Sequence, residues 1–260
     1  MIGVTTALAP YRVAIAELPL RARAVDAADG AIAVIDGTRG RGRSGLTGAA
    51  AVVVADPAPG SPTAFPPGIP VIVDRERLRP DAALGDAAVD AALFTVECSA
   101  AAVALPEAVR DAVGWLRVLS GGELSVDEVR AGRHGIIALL RTDARSPAGA
   151  RAATLVATVL ADASAAPRLR ALAIGPERTE VVVDGSGATS VVVTSASGAR
   201  HLPVRYESRR RVALRRAIDA VGGAETGDLA DLRHDEAVAA LLLDAINSAD
   251  SSHRQNRLPG

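Results

Sequence analysis

Three unbroken apolar runs constrain the fold of this chain more than any other feature. They cover residues 31–35, 49–55 and 69–73. Each is strand-sized and rich in Val, Ile and Ala. A Gly/Arg-rich loop follows the first, Asp56-Pro57 ends the second, and Pro67, Gly68 and Asp74 bound the third. A strand without polar alternation is one buried on both faces, as in a parallel sheet. The first hundred residues therefore read as α/β, with residues 11–17 as a further strand or the start of a helix.

A helix follows. Pro106 suits its first turn, Val109, Val113 and Leu116 share a face, and Gly121-Gly122 end it. Ser125-Val126-Asp127-Glu128 has the form of a capping box, which predicts a short helix closed by Gly132. Beyond Gly135 come strand-like segments at 135–140, 154–160, 169–174, 179–183, 190–194 and 201–205. Asp184-Gly185-Ser186-Gly187 and Ser197-Gly198 are turn signals between neighbours. Successive strands with short turns predict an antiparallel sheet. Residues 207–221 and 235–246 carry helical periodicity, with Asp235 as a helix cap after His234.

Composition removes several chemistries. The 260 residues carry a net charge of −1, which selects for neither nucleic acid nor acidic lipid. There is no lysine, so a Schiff base, a pyridoxal anchor, a P-loop lysine and a lysine proton donor are excluded. Five aromatic residues (Tyr11, Phe65, Phe94, Trp115, Tyr206) do not make a base-stacking platform. Cys98 is alone, which forbids an intramolecular disulfide, suits the cytoplasm, and reads as a small buried hydrophobe. No basic-then-apolar leader and no membrane-length run is present. No His/Cys/carboxylate spacing resembles a zinc site.

This order of elements resembles the Gfo/Idh/MocA oxidoreductases, which join a Rossmann domain to an α+β domain with an open-faced sheet. Three segments carry the likeness. Gly48-Ala49-Ala50-Ala51-Val52-Val53-Val54-Ala55-Asp56-Pro57 looks like the family's strand that ends at a proline near the nicotinamide. Gly68-Ile69-Pro70-Val71-Ile72-Val73-Asp74-Arg75-Glu76 looks like the next strand, which there ends in Glu-Lys-Pro. Leu241-Leu242-Leu243-Asp244-Ala245-Ile246-Asn247-Ser248-Ala249 is similar to the family's last helix and its exit. The resemblance implies a shortened Rossmann-like domain over residues 1–120, an antiparallel α+β sheet domain over 121–247, and a flexible tail over 248–260. It also implies a homo-oligomer or hetero-oligomer built through the second domain's sheet.

The departures bear on function. The G-x-G-x-x-G that follows the family's first strand has no counterpart near the N-terminus; a start assigned downstream of the true one would also remove it. The family's lysine falls at Arg75, between Asp74 and Glu76. Arg75 keeps the charge and can bind a carboxylate or phosphate, but holds its proton near neutral pH. The family's Asp and His, four apart on one helix face, are matched only by Asp127 and His134, seven apart. His134 is a candidate general base, against the plainer reading of a histidine at a strand mouth.

Gly40-Arg41-Gly42-Arg43-Ser44-Gly45 matches G-x-G-x-x-G in letters, yet only three residues separate it from the next run. A helix N-terminus, which the pyrophosphate needs, does not fit there. The segment reads as an Arg/Gly loop. Arg39, Gly40, Arg41, Gly42, Arg43 and Gly45 are the candidates for NAD or NADP, and Arg75, Asp127 and His134 those for catalysis. Arg205, Arg209, Arg210, Arg211, Arg215 and Arg216 form the densest positive cluster, expected to be a solvated helix face. Two readings stand: a non-catalytic relative that binds a small molecule or serves as an assembly subunit, and an NAD(P)-dependent oxidoreductase of sugar- or polyol-like substrates with unconventional cofactor binding.

Overall fold

The computed structural model describes residues 1–38, 46–60, 65–83, 90–144, 149–203 and 206–255. By contact the chain divides into two units, Met1–Glu76 with Arg205–Arg233, and Arg77–Val204 with His234–Gly260. The first unit thus takes back a late segment of the chain.

In the first unit, β1 (Ile2–Thr6), α1 (Ala9–Ala16), β2 (Ala22–Ala24), β3 (Ile32–Asp36), β4 (Ala51–Ala55) and β5 (Val71–Asp74) follow in order. The strands form a parallel sheet ordered β2-β1-β3-β4-β5. All five residues of β4 are buried, as its unbroken apolar run requires. One face packs Val4, Ile32, Val34, Val53 and Ile72 against Ala14 and Ile15 of α1. The other face packs Val52, Val54 and Val71 against Leu46 and Ala49. Residues 11–17 resolve as helix, mostly within α1. The strand β1, absent from the sequence reading, is only five residues long and half polar (Thr5, Thr6).

Register places the site. Asp36 lies beside Ala55, and Ala55 beside Asp74, so β3, β4 and β5 end together at one sheet edge. Gly37 lets the chain turn tightly there: a Cβ on it would stand 2.6 Å from Pro57 Cα and 2.7 Å from the Ala55 carbonyl oxygen. Residues 46–50 hold a turn and a bend but no helix.

The second unit begins with α2 (Pro80–Ala83), β6 (Leu93–Ala101) and α3 (Leu105–Ser120), then β7 (Gly122–Gly132), β8 (Gly135–Ala144), β9 (Arg151–Leu160), β10 (Arg168–Ile174), β11 (Arg178–Val183), β12 (Thr189–Ser195) and β13 (Gly198–His201). The last helices are α4 (Arg209–Val221), which lies in the first unit, and α5 (Asp228–Gln255). The eight-stranded sheet runs β13-β12-β11-β10-β6-β9-β8-β7. It is antiparallel except for the β6–β9 pair, so the architecture is a parallel sheet plus a mostly antiparallel one with helices. Val109, Val113 and Leu116 of α3 pack on one sheet face with Val238 and Leu242. As expected, α3 carries a proline in its first turn and ends at a left-handed Gly121.

Several sequence readings need correction. The supposed capping box at residues 125–128 lies inside β7. A bulge between Val126 and Glu128 inserts Asp127, so Leu124 and Val126 before it and Val129 and Ala131 after it all face the covered side. The bulge converts a period of two into the i, i+3 spacing of a helix. Strand β6 was missed because its buried positions, Phe94, Val96, Cys98 and Ala100, include small residues that weaken the alternation. The last strand among the described residues is Gly198–His201, because Gly198 opens it, and of the expected 201–205 the residues 204 and 205 lie outside the described residues. Asp235 is no cap: α5 begins seven residues earlier, and its helix continues to Gln255.

Asp235 is instead fully buried and forked on Arg117, at 2.8 Å to Nε and 3.2 Å to the guanidinium NH2. Removing one partner of a buried pair strands the other. Asp235→Ala should therefore cost about 3 kcal/mol or more. Asp127→Ala, which breaks an exposed pair with Arg141, should change stability by less than about 0.5 kcal/mol. Urea denaturation of both variants beside the parent checks the contrast.

Candidate functional site

Four linked polar side chains sit where β4 and β5 end. Asp74 closes β5 and is 5% exposed. Asp56 follows β4 and donates its backbone N–H to the Asp74 carbonyl at 2.8 Å. Its φ of 47° is left-handed, which among the described non-glycine residues is unique. Arg209, the first residue of α4, forks onto Asp56 at 2.8 and 2.7 Å and also meets Asp74 Oδ1 at 2.9 Å. From α1, the buried Tyr11 hydroxyl donates to Asp74 Oδ2 at 2.5 Å.

Local sequence explains each placement. Ser208 caps α4 by accepting from Arg211 N–H, which fixes Arg209 in the first turn. The apolar stripe Ala213, Leu214 and Ala217 docks α4 on the sheet. Burial raises the pKa of Asp74, and the charge and hydrogen bonds of Arg209 and Tyr11 only partly offset it. Burial and then the Asp74 charge raise Tyr11. For Arg209 burial acts downward, but hydrogen bonding and charge from Asp56 and Asp74 outweigh it and leave the pKa raised. Two carboxylates share one guanidinium, so full ionisation leaves one excess negative charge.

The connection from β1 to α1 matters equally. Leu8 gives its N–H to Thr6 Oγ1 at 3.1 Å, Tyr11 gives its N–H to the Leu8 carbonyl at 3.0 Å, and Pro10 has none. No glycine lies between Thr5 and Tyr11.

The residues expected from sequence are dispersed. Arg75 is buried just after β5. Asp127 is the bulge residue of β7, with Arg141 at 2.6 Å. His134 is exposed in the β7–β8 turn, accepting at Nε2 from Arg133 Nε at 2.7 Å. These two therefore share no helix face. Arg39, Gly40, Arg41, Gly42, Arg43 and Gly45 lie outside the described residues. The arginines of α4 are largely engaged: Arg211 and Arg215 with Glu207, Arg216 with Asp228. Cys98 is buried, and burial pushes its thiol up to about 12. Among the described residues no group of three or more His, Cys, Asp or Glu is arranged to hold a metal ion. No helix among them is long and apolar enough to cross a membrane.

Solved structures show what this architecture is. A 3-ketoreductase mutant, KijD10 from Actinomadura kijaniata, in complex with TDP-benzene and NADP, aligns over 95% of this chain and 96% of its own, with a TM-score of 0.55 at 14% identity. The UDP-N-acetylglucosamine 3-dehydrogenase GnnA from Acidithiobacillus ferrooxidans aligns over 96% of this chain and 90% of its own, with a TM-score of 0.54 at 14% identity. The fold is that of the Gfo/Idh/MocA-type oxidoreductases. No family model and no curated protein matches the sequence. At such identity the likeness carries the two-sheet architecture and leaves residue roles to this chain's own geometry.

A raised pKa for Asp74 gives the folded state a greater hold on its proton than the unfolded state has. That stability is fully present below the unfolded pKa and is lost as pH rises through the folded one. Asp74→Asn has no proton to lose. Its stability relative to the parent should climb as pH rises from about 4, the unfolded aspartate value, towards neutrality and beyond, read from urea melts at each pH. A difference that stays flat with pH contradicts this.

Proposed function

We propose that this chain is a non-catalytic protein with an oxidoreductase fold that works as an assembly subunit. The observation that carries this is the β1–α1 connection. Dinucleotide phosphates rest on glycine-lined backbone N–H groups at the start of the helix after the first strand. Here Leu8 and Tyr11 have their N–H groups engaged, Pro10 has none, and the Tyr11 side chain is committed to Asp74. The deciding measurement is a thermal-shift titration with NADH and NADPH. A nucleotide at 100 times its Kd stabilises by about 2.7 kcal/mol, roughly 2–4 °C per kcal/mol in a chain of this size. The expected result is no saturable shift with either.

The fold likeness favours a second reading, an NAD(P)-dependent oxidoreductase of sugar- or polyol-like substrates. Its phosphate contacts would come from Arg39, Arg41 and Arg43, and Arg75 and His134 would serve the substrate. A saturable nucleotide shift would overturn the non-binding form of the first reading and direct assays to sugar and polyol substrates.

The assembly role draws on the open face of the second sheet. Ile137 and Leu139 of β8 are 56% and 47% exposed, and Val182 of β11 is also exposed on the face away from α3. Charges on that face are tied laterally, Glu180 between Arg170 and Arg178. Such a surface favours burial against a second copy. Light scattering with size exclusion should find the parent at twice the monomer mass or more, and Ile137→Glu with Leu139→Glu as monomer with an unchanged circular dichroism spectrum. A monomeric parent removes the self-assembly reading.

A further inference from the structure

We propose that the guanidinium edge of Arg209 now held by Asp56 is a binding site for a small organic carboxylate, with Asp56 as its resident and displaceable occupant. Arg209 presents two N–H groups to the Asp56 carboxylate in a fork, at 2.8 and 2.7 Å. Planar two-point recognition of this kind suits any carboxylate, not Asp56 alone.

Asp56 is not the only partner of Arg209. Asp74, 3% exposed at its side chain, meets the same guanidinium at 2.9 Å from the interior. The Asp56 side chain is 33% exposed, so the edge it covers is the one nearer solvent. Its carboxylate is held there by a backbone in the left-handed region, which glycine adopts freely and Asp occasionally. Its backbone N–H is fixed independently to the Asp74 carbonyl. Side-chain rotation alone therefore frees the fork without disturbing the β4–β5 ladder. Exchange of one carboxylate for another leaves the charge of the cluster unchanged, and the links from Asp74 to Arg209 and to Tyr11 persist.

The tethered Asp56 competes intramolecularly, at an effective concentration of the order of millimolar or above. Deleting its side chain should expose the site. Asp56→Gly does so and suits a positive φ. The inference stands apart from the nucleotide reading, since its readout involves neither NADH nor NADPH.

The test measures thermal midpoints of Asp56→Gly in sodium formate and in sodium chloride at equal ionic strength. The expected result is a saturable rise of about 3 °C in formate, absent in chloride. The rise should vanish when Arg209→Gln is added. Equal behaviour in the two salts overturns the proposal, as does an undiminished rise in the double variant. Inorganic phosphate outperforming formate overturns the assignment of the ligand as a carboxylate. If Asp56→Gly does not fold in chloride, recovery of folded protein on refolding into formate supports the site, and failure in both salts overturns it.

Discussion

Arg209 joins parts of the chain that sequence keeps far apart. It reaches back 153 positions to Asp56 and holds both Asp56 and Asp74 where β4 and β5 end. The first unit is assembled from the beginning of the chain and a segment near its end. Apolar packing of Leu214 and Ala217 provides the area that holds α4 on the sheet, and non-directional burial alone would tolerate sliding. The forked ion pair supplies direction, fixing which turn of α4 meets which strand end. Its desolvation is costly, so its worth lies in that specificity as much as in stability.

The same cluster bears on the chemistry of the fold. A sheet of parallel strands gathers its carboxyl ends at one edge, where ligands of open α/β sheets bind. In this chain that edge holds a tyrosine, two aspartates and an arginine bonded to one another. A guanidinium at that place favours binding a planar anion over moving a proton, because it keeps its charge at any physiological pH.

Much of the fold was legible in the sequence, for physical reasons that differ by element. The runs ending at Ala55 and Asp74 were readable because burial on both faces leaves no polar residue to disguise a strand. The helix α3 was readable because its proline, its apolar stripe and Gly121 agree. The strand β7 was misread because one inserted residue, Asp127, changes the apparent period. The site was less legible. Asp56-Pro57 and Asp74 were visible as strand ends, but nothing local links Tyr11 to Asp74 across 63 positions. Arg209 stood among five neighbours of the same type, and only docking of α4 separates it, 12% exposed at its side chain, from Arg211, Arg215 and Arg216, which pair nearer the surface.

Strand β6 has a consequence for how the second unit comes together. The strands β7, β8 and β9 pair in sequence, as do β10 to β13, so each array grows from nearby residues. Between the arrays lies β6, parallel to β9 and antiparallel to β10. A parallel pair has no hairpin to start it, and Leu93 meets Ala152 only after a long loop has closed. The centre of this sheet is therefore where its strand contacts are least local, the kind of contact that slows folding. Two locally paired arrays are joined through β6, with one seam on each side of it.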